Sequence, residues 1–125
     1  VEVGAGQNQG VAGERRPWGG FEVLADEPDH KVKRLTVEPG RRLSYQRHAH
    51  RSEHGFVVAG EGVVTLDGTD HPVGVGSAID IPRGGAHRVA NPGVVPLVFV
   101  EVQHGSSFEE DDIERLEDDY GRART

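Results

Sequence analysis

The residues best equipped for chemistry crowd into one short stretch, Gln46-Arg47-His48-Ala49-His50-Arg51-Ser52-Glu53-His54, with a further imidazole, His87, after Ile81-Pro82-Arg83-Gly84-Gly85. On a strand alternate side chains share a face, so Ser44, Gln46, His48 and His50 project one way while Tyr45, Arg47 and Ala49 project the other. Glu53 lies past a tight corner, at the start of the following strand, where its carboxylate can reach the same point. His48, His50, Glu53 and His87 are therefore the expected ligands of one divalent transition ion. Three imidazoles and a carboxylate suit Zn²⁺, Fe²⁺, Mn²⁺, Co²⁺ or Ni²⁺ and leave positions open for water or substrate oxygens. Reading the corner one residue longer would turn His54 inward in place of Glu53. With no cysteine in the chain, thiolate sites are excluded.

Positioning such a group takes short strands, and the sequence supplies them. Valine occurs 18 times against six leucines and three isoleucines, with 18 glycines and seven prolines as punctuation, a composition that favours strands over helices. Apolar runs bounded by turn residues predict strands at Phe21–Leu24, Lys31–Glu38, Leu43–His50, Phe56–Ala59, Val63–Leu66, Ala78–Ile81, Ala86–Ala90 and Val95–Gln103. Asp67-Gly68 is a two-residue hairpin signal, because such turns need positive φ. About eight antiparallel strands in one small domain can hide their edges in an all-β, two-sheet jelly-roll barrel over residues 15–105. Residues 1–14, rich in Gly, Gln and Asn, predict a loosely draped arm. Ser106 and Ser107 stand three residues before Glu109 and Glu110, and Phe108, Ile113, Leu116 and Tyr120 recur at helical spacing. Residues 106–122 therefore predict a helix that caps the barrel, or a lid that shapes its site. Lone His30, His71 and His104 read as surface imidazoles.

Charge and length narrow the function. At 125 residues the chain is one domain, and its net charge of −7 is concentrated in residues 106–125, which hold eight acids against three arginines. The remaining body is close to neutral, without the basic excess that a nucleic acid requires. No apolar run is long enough for a membrane span or a secretory signal, so neither partner is expected and the reading is a cytoplasmic protein.

The order His-x-His, Glu, Gly60, then Pro82-Arg83-Gly84-Gly85-x-His87 resembles the two motifs of the cupin superfamily. A longer ordered set resembles one family within it, the type II mannose-6-phosphate isomerase domain. It includes Arg16-Pro17-Trp18-Gly19, Val32-Lys33-Arg34-Leu35, Gln46, His48, His50-Arg51, Glu53-His54, His87-Arg88, Asn91-Pro92-Gly93, Glu101-Val102-Gln103 and Glu110-Asp111-Asp112-Ile113. It ends in Asp118-Asp119-Tyr120-Gly121-Arg122. The chain departs from the family at Gly55, where an aromatic is usual, and at Tyr45, where an aliphatic is usual. The resemblance implies a cupin barrel, one bound metal, a homodimer, and isomerisation of mannose 6-phosphate and fructose 6-phosphate by moving a proton between C2 and C1. On that footing His54 is the expected base and Gln46 a group that orients a ligand or bonds a sugar hydroxyl. Lys33, Arg34 and Arg88 are the expected phosphate contacts. The rival readings are a non-catalytic sugar-binding or regulatory module and a metal-dependent cupin oxygenase.

Overall fold

A computed structural model describes residues 13–122, and they form two antiparallel sheets. The strands are β1 (Gly13–Arg16), β2 (Gly19–Asp26), β3 (His30–Val37), β4 (Tyr45–Arg47), β5 (Arg51–Ala59), β6 (Gly62–Leu66), β7 (Thr69–Val73), β8 (Ala78–Ile81), β9 (His87–Ala90), β10 (Leu97–Gly105) and β11 (Glu114–Glu117). One sheet has the order β1-β2-β3-β10-β5-β8 and the other β11-β4-β9-β6-β7. Their inner faces enclose the core, the two-sheet jelly roll that the strand pattern predicts.

Pairing register divides the interior into an apolar half and a polar half. Across β3, β10 and β5, Leu35, Phe99 and Val57 stand in one row, while Lys33, Glu101 and Gly55 stand in the next inward row. Beyond these Gln103 pairs with Glu53. The first row joins Val37, Leu43, Val64, Ile79, Ile81, Val89 and Leu97 in a buried cluster. The second opens onto the polar chamber described below. Period-two alternation keeps both rows on the same inner face, since one register step would turn every one of these side chains outward.

The expected Asp67-Gly68 hairpin joins β6 to β7, with φ of 47° and 83° at its two residues. Its second strand, Thr69-Asp70-His71-Pro72-Val73, is mostly exposed and edge-lying, which is where a proline is tolerated and why no apolar run announces it. Gly60 is needed for two reasons: its φ is +80°, and a Cβ there would fall 2.3 Å from the Pro96 carbonyl oxygen. Of the predicted arm, residues 1–12 lie outside the described residues, and Gly13 and Glu14 belong to β1, paired with β2.

The predicted C-terminal helix is corrected by the structure. Residues Glu110–Asp112 make a single 3-10 turn and Glu114–Glu117 are a strand, β11, antiparallel to β4. The open edge of β4 offers a ladder of backbone partners that a helix would leave unpaired. The acids of the tail find cations on the barrel. Arg42 holds Asp119 at 2.7 and 2.9 Å, Arg47 holds Glu114 at 2.9 Å, and buried Arg88 reaches Glu117 at 3.2 Å while donating to the Leu43 carbonyl at 2.9 Å. Tyr120 packs on the core and donates its hydroxyl to the Arg42 carbonyl at 3.2 Å.

Removing residues 106–125 should therefore strip an edge strand and the Tyr120 contact together. Loss of about 3 kcal/mol is expected from the uncovered apolar surface. A lower urea midpoint would bear this out, and an unchanged one would show that β11 contributes nothing to folding.

Candidate metal centre

Three side chains converge in the polar half of the barrel. His48 follows β4, Glu53 lies on β5 and His87 opens β9. All are buried, and their ligand atoms lie within 4.8 Å of one another. His48 Nε2 is 3.3 Å from Glu53 Oε2, and His87 Nε2 is 3.2 Å from Glu53 Oε1. The two rings stand 5.3 Å apart, tilted by 50°.

The far sides of both rings face backbone carbonyls. His87 Nδ1 donates to the Gly85 carbonyl at 2.9 Å, and His48 Nδ1 lies 2.8 Å from the Asp112 carbonyl. An imidazole whose Nδ1 carries the proton presents a bare Nε2 lone pair, and two such lone pairs would here face the oxygens of one carboxylate. That arrangement is repulsive unless protons or a cation lie between. The donor set fits a divalent ion, which needs deprotonated imidazole nitrogens backed by an acceptor on their other side.

Electrostatics around Glu53 point the same way. Burial pushes its carboxyl up, but the His87 hydrogen bond and the charges of His48, His87 and Arg51 outweigh burial and hold it at about 2. Burial lowers the His48 pKa, whereas for His87 the bond to Glu53 overcomes burial and raises it. Arg51 is buried with its Nε 3.3 Å from Glu53 Oε2, and its Nη1 has no hydrogen-bond partner among the described residues. Gln103 Nε2 bridges two acids, Glu53 at 3.3 Å and Glu101 at 2.8 Å. Burial, followed by the Glu53 charge, raises the Glu101 carboxyl to about 7. Lys33 sits over the Phe21 ring at 4.3 Å, and burial lowers its pKa.

The chamber that these groups line also takes in Gln46, Gly55, Arg16, Ile113, Arg115 and Arg122. Gln46 stands directly across from His87 in the β4–β9 register, so the inward alternation of β4 runs Gln46, His48. It stops there. β4 ends at Arg47, the chain bends at Ala49 and His50, and His50 is exposed and outside the group. The expectation that His50 is a ligand assumed a strand running through residue 50, and the bend breaks that assumption.

Glu53, not His54, is the inward residue of β5. His54 lies on the outer face, exposed, with Nδ1 2.8 Å from Asp80 across the β5–β8 pairing. His54, expected as the base, therefore does not face this centre. Among the expected phosphate contacts only Lys33 faces the chamber. Arg34 projects to the opposite face and pairs with Glu22 at 2.9 Å, and Arg88 fastens β11. Sequence reasoning missed Glu101, Gln103 and Asp112. All three lie in segments that carry the family resemblance, and the first two were also marked as polar residues at the inward parity of an otherwise apolar strand; Asp112 had no further signal.

Residues 7–118 match the family model described as mannose-6-phosphate isomerase C-terminal. The chain is 48% identical over 107 residues to a mannose-1-phosphate guanylyltransferase of Escherichia coli K12, covering 86% of this chain and 22% of that protein. It is 49% identical, with the same coverage, to the alginate biosynthesis protein AlgA of Pseudomonas aeruginosa. It therefore spans about a fifth of the length of these relatives. Among solved structures, the capsular polysaccharide assembling protein CapF of Staphylococcus aureus superposes with a TM-score of 0.77 at 23% identity, covering 86% of this chain and 34% of CapF. The cupin domain of Schizosaccharomyces pombe Cnp3 superposes at 0.66 with 14% identity, covering 77% and 69%. These structures share the fold, while the match over residues 7–118 goes further: this chain belongs to the mannose-6-phosphate isomerase C-terminal family.

Proposed function

We propose that the chain is a metal-dependent aldose-ketose isomerase domain acting on mannose 6-phosphate and fructose 6-phosphate. The observation that carries this reading is the buried His48–Glu53–His87 group, set in a chamber whose walls add cations and a second carboxyl, in a member of this family. His48, Glu53 and His87 would hold the ion, with Gln46 lining the chamber across from His87. A bound divalent ion supplies Lewis acidity to the sugar's carbonyl and hydroxyl oxygens.

The chain's own residues supply the rest. Moving a proton between C2 and C1 needs a group that can both take and give it near neutrality. Glu101 projects into the chamber beside Gln103, and its carboxyl is held at about 7; we assign it that role. Arg51 and Lys33 place positive charge where the enediolate oxygens gather electron density. The chamber is small, about 80 Å³, and opens to solvent, so only the reacting end of the sugar is placed inside it. The open-chain sugar would thus enter by its C1–C2 end. Its phosphate would stay toward solvent with Arg16 and Arg122, which are partly exposed and also line the chamber.

Two outcomes are expected. Chelator-treated protein titrated with Co²⁺ or Zn²⁺ should bind one ion per chain, and His48→Ala or His87→Ala should weaken that binding at least tenfold. His50→Ala and His54→Ala should not; loss of the ion in either would refute the ligand set. Deuterium wash-in at C2 of the sugar phosphate, followed by NMR, should require the ion. Glu101→Gln should slow it by about 10²–10⁴-fold while retaining the metal. Sugar binding without exchange under any supplied metal would replace the isomerase with a binding module.

A further inference from the structure

Asp112, in the tail's 3-10 turn, is buried, and both its backbone and its side chain are spent on the corner that separates His48 from Glu53. Its carboxylate accepts from the Ala49 N–H at 3.0 Å and from the His50 N–H at 3.1 and 3.2 Å. Its carbonyl stands 2.8 Å from His48 Nδ1. No other tail residue touches a member of the His48–Glu53–His87 group by a hydrogen bond among the described residues. Around the same corner, Gly84 N–H donates to the His48 carbonyl at 2.8 Å and Ser106 N–H to the His50 carbonyl at 3.0 Å.

These bonds bear on which nitrogen of His48 carries the proton. Arg51 Nη2 lies 2.9 Å from the same Nδ1 that faces the Asp112 carbonyl. Nδ1 can accept from Arg51 only when it is bare, and the ring proton then sits on Nε2 toward Glu53. It can donate to Asp112 only when protonated, and Nε2 is then bare and able to bind a cation. The two neighbours therefore favour opposite tautomers, and the Asp112 carbonyl favours the one a metal ligand needs. The bend that carries His50 out of the barrel is held by the same residue through its carboxylate.

We propose that Asp112 is a positioning residue of the metal centre. From the C-terminal tail it fixes the ligand tautomer of His48 through its carbonyl and the β4–β5 corner through its carboxylate. Docking of the tail and affinity for the ion are thereby one property. The proposal rests on the metal reading given above, and its test keeps the two apart.

Asp112→Ala, made in the full chain, leaves the peptide carbonyl but releases the carboxylate that locks it in place. Its affinity for Co²⁺ alone should fall about 10–100-fold. Ring ¹⁵N shifts of the metal-free protein should show His48 moving toward the Nε2–H tautomer, and the Ala49 and His50 amides should lose protection from hydrogen exchange. If the Ala variant does not fold, Asp112→Asn, whose amide oxygen in the Oδ1 place still accepts from both the Ala49 and His50 N–H groups but which loses the second bond from His50, should show a smaller loss in the same direction. Glu114→Gln, which removes an exposed ion pair from the same tail, should bind Co²⁺ as the parent does; an equal loss there would reduce Asp112 to a general tail fastening and overturn the proposal. Parent affinity and an unchanged His48 tautomer in a folded Asp112 variant would also overturn it. Should the parent chain bind no Co²⁺ or Zn²⁺, the metal reading fails on its own, and the His48 tautomer alone decides whether Asp112 positions the ring.

Discussion

A carboxylate taken out of water inside an all-β barrel must be compensated, and the polar half of this molecule is organised around that need. Removing one ionised carboxylate from water costs several kcal/mol even after relaxation. Around Glu53 stand a guanidinium, an amide and two imidazole edges, all within 3.3 Å of its two oxygens; the guanidinium and the amide offset the cost directly, the imidazoles only with a proton or a cation between. None of these comes from a neighbouring residue in the same turn of chain except Arg51. His48, His87 and Gln103 arrive from three other strands or their ends, so the arrangement exists only once both sheets have closed. Folding and assembly of the site are thus the same event.

The same registry that closes the barrel separates its chemistry from its packing. Stepping along β3, β10 and β5, the inward row Leu35–Phe99–Val57 gives way to Lys33–Glu101–Gly55 and then to Gln103–Glu53. On β9 the change comes between Val89 and His87, which are adjacent inward positions of one short strand. The apolar rows form a rigid, low-dielectric floor against which charges interact strongly. At Gly55, in the polar row, a Cβ would fit, its nearest neighbours being Ile79 and Phe99 at ordinary contact distances of 3.4 Å and beyond.

Much of this was legible in the residues. Valine-rich runs, the Asp67-Gly68 turn and the ordered motifs gave the barrel, and His48, Glu53 and His87 stood out by type and spacing. What failed did so for identifiable reasons. His50 was placed inward by extending a strand that the Asp112 carboxylate bends away after Arg47. Glu53 was read as the inward ligand and is one, but His54, expected at the same centre as base, lies on the outer face of β5 because adjacent strand residues point opposite ways. The tail carries acids and apolar residues at helical spacing, yet the unpaired edge of β4 and the arginines at 42, 47 and 88 draw it into a strand. Tertiary pairing there outweighs local propensity. Arg34 and Arg88 illustrate the same limit, since basic residues beside a motif can as readily brace the scaffold as face the ligand.

The most direct test of the central claim is anomalous scattering from crystals of the chelator-stripped protein reloaded with Co²⁺ or Zn²⁺, recorded on both sides of the metal's absorption edge. The account predicts a single strong peak per chain inside the barrel, within about 2.0–2.2 Å of Nε2 of His48, Nε2 of His87 and an oxygen of Glu53. A barrel interior without a peak, or a peak seated instead on the exposed His50 or the His54–Asp80 pair, would contradict it.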